Sequence, residues 1–483
     1  MFAIDKIRHL LALLLGPILF FVVSFLFDFS FISQQANVVI AVAVWMIVWW
    51  VTEAIPIPVT ALLPIVLFPL LGVFDFKTAC VSYANPIIFL FMGGFLIALG
   101  IEKSNLHQRI ALRLIKMTGT TPNRVILGFM LATALLSMWI SNTATTVMML
   151  PIAVSVINQL ATASGVEEKG SKHFGFSLML SIAYAANIGG TATVIGTPPN
   201  AVLLGLMKDL YGIDISFTQW MMVGFPFAAI MLWLSYIVLI KVIIKSKNIQ
   251  IEVSKDFLKE KLKGLGALSK REKMVIMIFA LTTFCWIFKS WINTFFINDV
   301  LSDTTIALIG GILMFVLPVD LKNKARIIAW QDTKELPWGI LILFGGGLTL
   351  AKALQKVAII DFVGNSVAGY SDVHWLMIGF ALVLIMLFAT ELMSNVALTT
   401  IFVPVVAGIS MGMFDDPLLF AIPVTLASSC AFMLPIATPP NAIVFSAGYI
   451  RMKQMIRVGF ILNIIASLLI GIGVLCLLRL FWS

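Results

Sequence analysis

The residues from Ser141 to Thr146 read Ser-Asn-Thr-Ala-Thr-Thr, a cluster of hydroxyls and one primary amide. All of these groups are neutral, and each can both donate and accept hydrogen bonds. Such a set can hold an anion through its donors or a hard cation through its oxygens. A second run, Ser394-Asn395-Val396-Ala397-Leu398-Thr399-Thr400, repeats the pattern 253 positions later. Two further runs pair at an offset of 241: Gly196-Thr197-Pro198-Pro199-Asn200 and Ala437-Thr438-Pro439-Pro440-Asn441. Proline cannot continue a helix from upstream, but it can begin one. Each Pro-Pro therefore predicts a helix break. The carbonyls freed near Gly196 and Ala437 become oxygen ligands for a cation such as Na⁺.

The surroundings sharpen this chemistry by what they lack. From 125 to 160, and again from 174 to 207, there is no Lys, Arg, Asp or Glu. From 375 to 450 there is no Lys or Arg, and the acids are Glu391, Asp415 and Asp416. An anion bound here has no arginine clamp. It must be met by neutral donors, by helix N-termini with their free N–H groups and dipole, and by bound cations. Glu391 is an intramembrane acid by position, so it reads as a functional candidate or as a brace for the second tip. Glu53 falls in a short turn and reads as interfacial. His9, His107, His173 and His374 sit in or beside loops, which gives a proton relay little support. No nucleophile–base constellation, metal-ligand cluster or nucleotide-binding loop is present, so the chain does not read as an enzyme or a primary pump. Cys80, Cys285, Cys430 and Cys476 lack metal-ligand spacing and read as packing residues.

The elements that position these groups are membrane helices. Only 11% of the residues are charged and 60% are hydrophobic, against roughly 25% charged in a soluble domain. Apolar runs long enough to cross a ~30 Å hydrocarbon core recur along the chain. Spans are expected at 10–27, 38–55, 58–73, 84–101, 177–208, 217–245, 273–297, 303–317, 337–357, 417–447 and 455–482. Lys6 and Arg8 precede the first, which reads as an uncleaved helix. The stretches 125–160 and 376–408 have polar middles and are expected as re-entrant hairpins. Irregular backbone at that depth is tolerated inside protein or against a water-filled cavity. Lys and Arg concentrate in 246–272 and its edges and again at Arg451, Lys453 and Arg457, while 292–303 has neither. The positive-inside rule then places the N-terminus in the cytoplasm. The formal charge of +9 reads as topology and gives no sign of nucleic acid as a partner.

The fold expected is an all-α polytopic membrane protein with eleven transmembrane helices and two re-entrant hairpins. An N-terminal helix (1–27) precedes a first repeat (38–245), a cytoplasmic linker (246–272) and a second repeat (273–483). Five crossings separate the hairpins, so the repeats are inverted relative to one another. Inverted repeats with interrupted helices at matching places point to a secondary transporter with a midplane site.

The runs "SNTATT", "GTPPN", "TELMSNVALTT" and "LPIATPPNAIVF" resemble the divalent anion/sodium symporter family, in segment order over nearly the whole chain. The resemblance implies a multi-pass homodimer of the cell inner (plasma) membrane, embedded in lipid. Each protomer would pair a scaffold domain with a transport domain that moves like an elevator. It implies Na⁺-coupled import of C4 dicarboxylates such as succinate, malate or fumarate. It also implies two Na⁺ sites. One would use Ser137, Ser141, Asn142 and Gly196, and the other Thr390, Met393, Asn395 and Ala437. Substrate carboxylates would meet Asn142, Thr143, Thr197, Pro198, Ser394, Asn395, Thr438 and Pro439. Val396 departs from the first repeat, which has Thr143 there, and removes a hydroxyl from one side. Na⁺-independent dicarboxylate exchange and symport of citrate or another divalent anion are the alternatives within transporters. A membrane enzyme or channel using the same hairpins is the alternative outside them.

Overall fold

The computed structural model describes residues 2–162, 168–243, 255–295, 300–320, 325–369 and 374–481. Helix dominates, with one short antiparallel pairing of Pro318–Asp320 with Ala325–Arg326. In chain order the helices begin with α1 (Phe2–Leu26), α2 (Ala36–Thr52), α3 (Ile57–Thr60), α4 (Leu63–Leu70), α5 (Phe76–Val81) and α6 (Pro86–Lys103). Then come α7 (Leu106–Thr118), α8 (Pro122–Ser137), α9 (Asn142–Thr162), α10 (Glu168–Gly190), α11 (Pro198–Tyr211) and α12 (Phe217–Val238). The second half runs through α13 (Lys255–Gly264), α14 (Lys270–Ile287), α15 (Lys289–Asn293), α16 (Asp303–Val316), α17 (Trp338–Lys356) and α18 (Ile359–Ala368). It ends with α19 (Trp375–Ala389), α20 (Asn395–Phe414), α21 (Leu418–Ser428), α22 (Pro439–Ser446), α23 (Met452–Leu468) and α24 (Leu475–Phe481).

Among the described residues, six segments are long and apolar enough to cross a membrane in one piece: His9–Leu26, Phe76–Lys103, Phe217–Lys241, Trp338–Lys356, Asn395–Phe414 and Met452–Leu480. Shorter apolar helices of 10–17 residues include Ala36–Thr52, Pro122–Ser137 and Trp375–Ala389. Several are short for a reason visible in the sequence. The expected hairpin 125–160 is two helices, α8 and α9, that stop and restart at Met138–Ser141. The expected hairpin 376–408 is likewise α19 and α20, parted at Thr390–Ser394. The spans 177–208 and 417–447 each divide where the Pro-Pro pair opens a new helix, at α11 and at α22. The span 58–73 is also interrupted, between α3 and α4.

Among the described residues, α5, α7, α13 and α18 fall outside all the expected spans. Both α7 and α18 are amphipathic, and each follows a residue in the left-handed region, Asn105 at φ 59° and Ala358 at φ 58°. These two hinge residues are again 253 positions apart. The matched glycines Gly93 and Gly346 mark close backbone crossings. A Cβ on Gly93 would meet the Ala307 carbonyl, and one on Gly346 the Ala61 carbonyl. Small residues at such points let helices touch directly, as membrane interiors favour.

On the charged side of the molecule, α7 is fastened to α14. Arg109 Nε donates to Glu272 Oε1 at 2.6 Å, and its other nitrogens donate to the carbonyls of Gly266 and Leu265 at 3.0 Å. Burial pushes the Glu272 carboxyl up, but Arg109 and Ser269 hold it below its usual value. The expected linker 246–272 ends in this clamp. Its first part, 246–254, lies outside the described residues.

Candidate functional site

The four helix starts named by the motifs converge. Asn142 opens α9, Asn395 opens α20, Pro198 opens α11 and Pro439 opens α22. All four residues line one cleft of about 720 Å³. It brings together all eight residues expected at the carboxylates: Asn142, Thr143, Thr197, Pro198, Ser394, Asn395, Thr438 and Pro439. Five of the residues expected at Na⁺, Ser141, Asn142, Met393, Asn395 and Ala437, also line it. Helix N-termini carry partial positive charge and unpaired N–H groups. Four of them facing one space favour a ligand with more than one negative group.

Two of the expected cation ligands, Ser137 and Thr390, sit fully buried behind this surface. Ser137 Oγ lies 2.6 Å from Asn142 Oδ1 and 2.8 Å from the Ala186 carbonyl. A hydroxyl carries one proton and can donate to only one of them. Turned over, the Asn142 amide would donate to Ala186 O at 3.1 Å, Ser137 Oγ at 2.6 Å and Gly196 O at 3.2 Å. In the orientation present, its oxygen faces those three oxygens instead, and a cation among the four answers the arrangement equally well. The second repeat shows the same crowding. Thr390 Oγ1 lies 2.7 Å from both Asn395 Oδ1 and the Ser428 carbonyl. One proton between two acceptors, at matched places in both halves, fits a pair of oxygen-ligated cations of the Na⁺ class. Gly190 leaves room for the first. A Cβ there would come within 2.4 Å of Asn142 Oδ1 and 3.0 Å of Gly196 O.

Some hydroxyls do a second job. Ser141 accepts from the Ala144 N–H at 3.3 Å, and Ser394 accepts from the Ala397 N–H at 3.5 Å. Each caps the helix that it precedes. As acceptors they keep their own protons free to donate into the cleft. Thr438 is similar, accepting from Asn187 Nδ2 at 3.1 Å and from the Asn441 N–H at 3.4 Å. Val396 lines the same surface without a hydroxyl.

Four site-forming residues were not singled out from the sequence. The Asn200 amide donates to the carbonyls of Gly190, Thr191 and Thr193, the last at 2.8 Å. The Asn441 amide donates to those of Ala431 and Leu434 at 3.0 Å. Each tethers its unwound segment, and the shared final Asn of "TPPN" was the available signal. Asn187 and Tyr184 join the two halves, donating to the carbonyls of Ala431 at 3.3 Å and Phe432 at 3.0 Å. They carry no motif signal.

Both singled-out acids find clear places. Glu391 is 3% exposed and accepts from the N–H groups of Phe432, Met433 and Leu434 and from Asn463 Nδ2. Of its two readings, the brace is what the contacts describe. It ties the hairpin tip to the unwound stretch before α22, whose N–H groups have lost helical partners. Glu53 stands at the end of α2 with φ 47° and lines the cleft beside Val51, Thr52 and Ile57. The interfacial reading is therefore incomplete, because this carboxylate also faces the binding surface. It is the one ionisable group among the described lining residues.

A family model described as the sodium:sulfate symporter transmembrane region matches residues 7–483. The chain is 40% identical over 471 residues to the sodium-dependent dicarboxylate transporter SdcS of Staphylococcus saprophyticus, covering 96% of this chain and 90% of that protein. It is 39% identical over 466 residues to the transporter of the same name from Staphylococcus aureus, with the same coverage. Among solved structures it resembles the YdaH transporter of Alcanivorax borkumensis, with a TM-score of 0.56 and 13% identity over 83% of this chain and 88% of that one. It also resembles MtrF of Neisseria gonorrhoeae, with a TM-score of 0.54 and 12% identity over 83% and 82%. These two likenesses speak for the fold alone.

Proposed function

The chain belongs to the sodium:sulfate symporter family, the divalent anion/sodium symporters that its motifs resemble, and from that premise we propose that it imports a small dicarboxylate together with Na⁺. The observation that carries this reading is the lining of the cleft. An anion site with four helix N-termini and no Lys, Arg or His among its described lining residues lacks a fixed counter-charge. The missing positive charge must arrive with the substrate, and the two oxygen clusters behind the cleft are suited to bring it.

In this reading the first Na⁺ is held by Ser137, Asn142 and the Gly196 carbonyl, with Ser141 at its edge. The second is held by Thr390, Asn395 and the carbonyls of Met393 and Ala437. Asn142 and Asn395 face both a cation cluster and the cleft, so each couples one Na⁺ to one carboxylate. Asn142, Thr143, Thr197 and the N-terminus at Pro198 take one end of the dicarboxylate. Ser394, Asn395, Thr438 and the N-terminus at Pro439 take the other. Val396 leaves the second end with one donor fewer. A C4 dianion such as succinate, malate or fumarate, extended between the two tips, matches this donor set.

The offsets of 253 and 241, with matched hinges, glycines and oxygen clusters, support two inverted repeats. The hairpins α8–α9 and α19–α20 and the broken helices α10–α11 and α21–α22 form the body that carries the site. The scaffold, including α2, α3 and α17, lends the cleft only Val51, Thr52, Glu53, Ile57 and Ile340. With the N-terminus inside, these five lie at the cytoplasmic end, so the cleft is open inward. Sliding the carrying body past the scaffold between two hinge-led helices, α7 and α18, would give an elevator-like cycle. The expected homodimer would anchor the scaffold in the plasma membrane.

Proteoliposome uptake of labelled succinate with and without an inward Na⁺ gradient tests the function. Accumulation that requires the Na⁺ gradient is expected. Flux that ignores Na⁺ but requires dicarboxylate on the opposite side would replace the symporter with an exchanger.

A further inference from the structure

A second concavity lies on the opposite side of the first oxygen cluster. Its floor is Ala134, Gly189 and Ala192, and Leu131, Phe225 and Trp233 are among its walls. Its volume is about 290 Å³. The groove exists because α8 and α10 touch backbone to backbone. A Cβ on Gly189 would meet the Ala134 carbonyl at 2.4 Å, so no side chain fills the space between them and α12. Trp233 is 62% exposed, Phe225 is 49% exposed and Leu131 is 38% exposed. In a multi-pass membrane protein this face meets lipid tails.

The groove has a direction. It runs from the tip of α8 at Met138 to Tyr236 and Leu127 near the start of α8. There the Tyr236 hydroxyl donates to the Asn123 carbonyl at 3.3 Å, and the next residue is the exposed Arg124. Below Tyr236, α12 widens into a π-helical turn over Leu239–Ile243. That turn sets the exposed Lys241 five residues on, one wide turn below the tyrosine. Neither base has an acidic partner within salt-bridge distance among the described residues. The charge distribution along the chain puts this end at the cytoplasmic surface.

We propose that this groove is a binding site for an anionic phospholipid of the inner leaflet. One acyl chain lies in the groove, and the phosphate lies between Arg124 and Lys241 under Tyr236. Shape alone cannot select an occupant, since lipid tails are as apolar as the groove walls. The headgroup contacts make the choice, because basic pockets between helices on the cytoplasmic side attract anionic headgroups. Two basic groups near the surface are worth a roughly thirty-fold preference for an anionic over a neutral headgroup.

The test uses the full chain in nanodiscs of phosphatidylcholine with a minor fraction of phosphatidylglycerol. Native mass spectrometry after release counts the phosphatidylglycerol retained. The wild type should keep one, and the double variant R124Q/K241Q should lose about thirty-fold in retention. Ala229→Phe, which fills the exposed lining position Ala229, should displace the lipid without changing charge. Lys270→Gln with Lys273→Gln removes the same charge from exposed positions on the same side and should change nothing. Uptake in phosphatidylcholine alone reports that each variant is folded. Equal retention in the R124Q/K241Q and K270Q/K273Q proteins would mean diffuse attraction to a basic surface and would overturn the site. Retention unaffected by Ala229→Phe would overturn the groove.

Discussion

Replacing Ser137 with alanine separates the two ways of reading the first oxygen cluster. If a Na⁺ lies among Ser137 Oγ, Asn142 Oδ1 and the Ala186 and Gly196 carbonyls, the substitution deletes one ligand from a buried cation. Contacts to charged groups are worth about 1.5–3 kcal/mol, which is roughly a 10- to 150-fold rise in the Na⁺ concentration for half-maximal uptake. Linkage makes the effect reciprocal, so dicarboxylate affinity at fixed subsaturating Na⁺ should fall as well. If instead the Asn142 amide is turned over, its nitrogen donates to Ala186 O, Gly196 O and Ser137 Oγ, and the cluster is a closed hydrogen-bond network. Ser137→Ala then removes two neutral hydrogen bonds, one accepted from Asn142 and one donated to Ala186 O, about 2 kcal/mol of stability, and leaves Na⁺ dependence alone. The assay is initial uptake of labelled succinate in proteoliposomes across a Na⁺ titration, with the melting transition recorded in parallel. The matched variant Thr390→Val probes the second cluster. An unchanged half-saturating Na⁺ with a lowered melting transition would refute the cation reading. A raised half-saturating Na⁺ in both variants would establish it in both halves.

Gly190→Ala should impair Na⁺ binding more than folding, because its methyl carbon would sit 2.4 Å from Asn142 Oδ1 and displace the amide. A Na⁺ titration of uptake that matches wild type would show that the amide is not a ligand. Glu391→Gln should lower thermal stability by about 3 kcal/mol and abolish uptake, since an amide with one oxygen cannot serve three N–H groups and Asn463, and each orphaned donor costs about 1–3 kcal/mol. A stable E391Q protein that has lost uptake would instead return Glu391 to the list of functional acids, and a stable, active one would refute both readings. Glu53→Gln should raise the dicarboxylate affinity measured from the cytoplasmic side a few-fold, because a carboxylate lining an anion's cleft opposes binding there. The change stays modest because Glu53 is exposed and charges screen over about 8 Å at physiological salt. Identical half-saturation for efflux in both proteins would remove Glu53 from the release step.

The sequence carried the site further than it carried the helices. Asn142, Asn395, Pro198 and Pro439 were legible because the chemistry of a helix break needs particular residue types, and a duplicated chain shows them twice. Ser137 and Thr390 were reached through the family resemblance, since a lone hydroxyl in an apolar run has no periodic signature. Asn187 and Tyr184 were invisible for the same reason. They join the two halves across about 245 positions, and such contacts exist only once both broken helices are packed. Helix boundaries slipped where hydropathy reports depth but not backbone continuity. The run 58–73 is largely apolar yet broken between α3 and α4, whereas the break in 177–208 was announced by its Pro-Pro pair; α7 and α18 were passed over because an amphipathic helix does not satisfy a span criterion.

Glu391 and Met138 occupy matched positions, 253 apart, and they show how the two halves solve one problem differently. Each unwound segment exposes backbone groups that membrane helices normally satisfy internally. In the second half a carboxylate takes three consecutive N–H groups. In the first half the Met138 side chain cannot do this, and the Thr193 hydroxyl works locally instead. It donates to the Met138 carbonyl at 2.5 Å and accepts from the Gly196 N–H at 3.1 Å. If the four donors hold Glu391 as a carboxylate, the second tip has a buried negative charge in its foundation and the first does not. A positive ion in the second oxygen cluster gains from that charge, and an anion in the cleft is opposed by it. The binding order follows from this asymmetry. If Na⁺ binds at the Thr390–Asn395 cluster, it would offset Glu391 before the dicarboxylate arrives, and that cluster should be the tighter of the two in the absence of substrate. Direct Na⁺ binding to the detergent-solubilised Ser137→Ala and Thr390→Val variants ranks them. The larger loss in apparent affinity should fall on Thr390→Val, and the reverse ranking would mean that Glu391 is electrostatically spent on its hydrogen-bond donors.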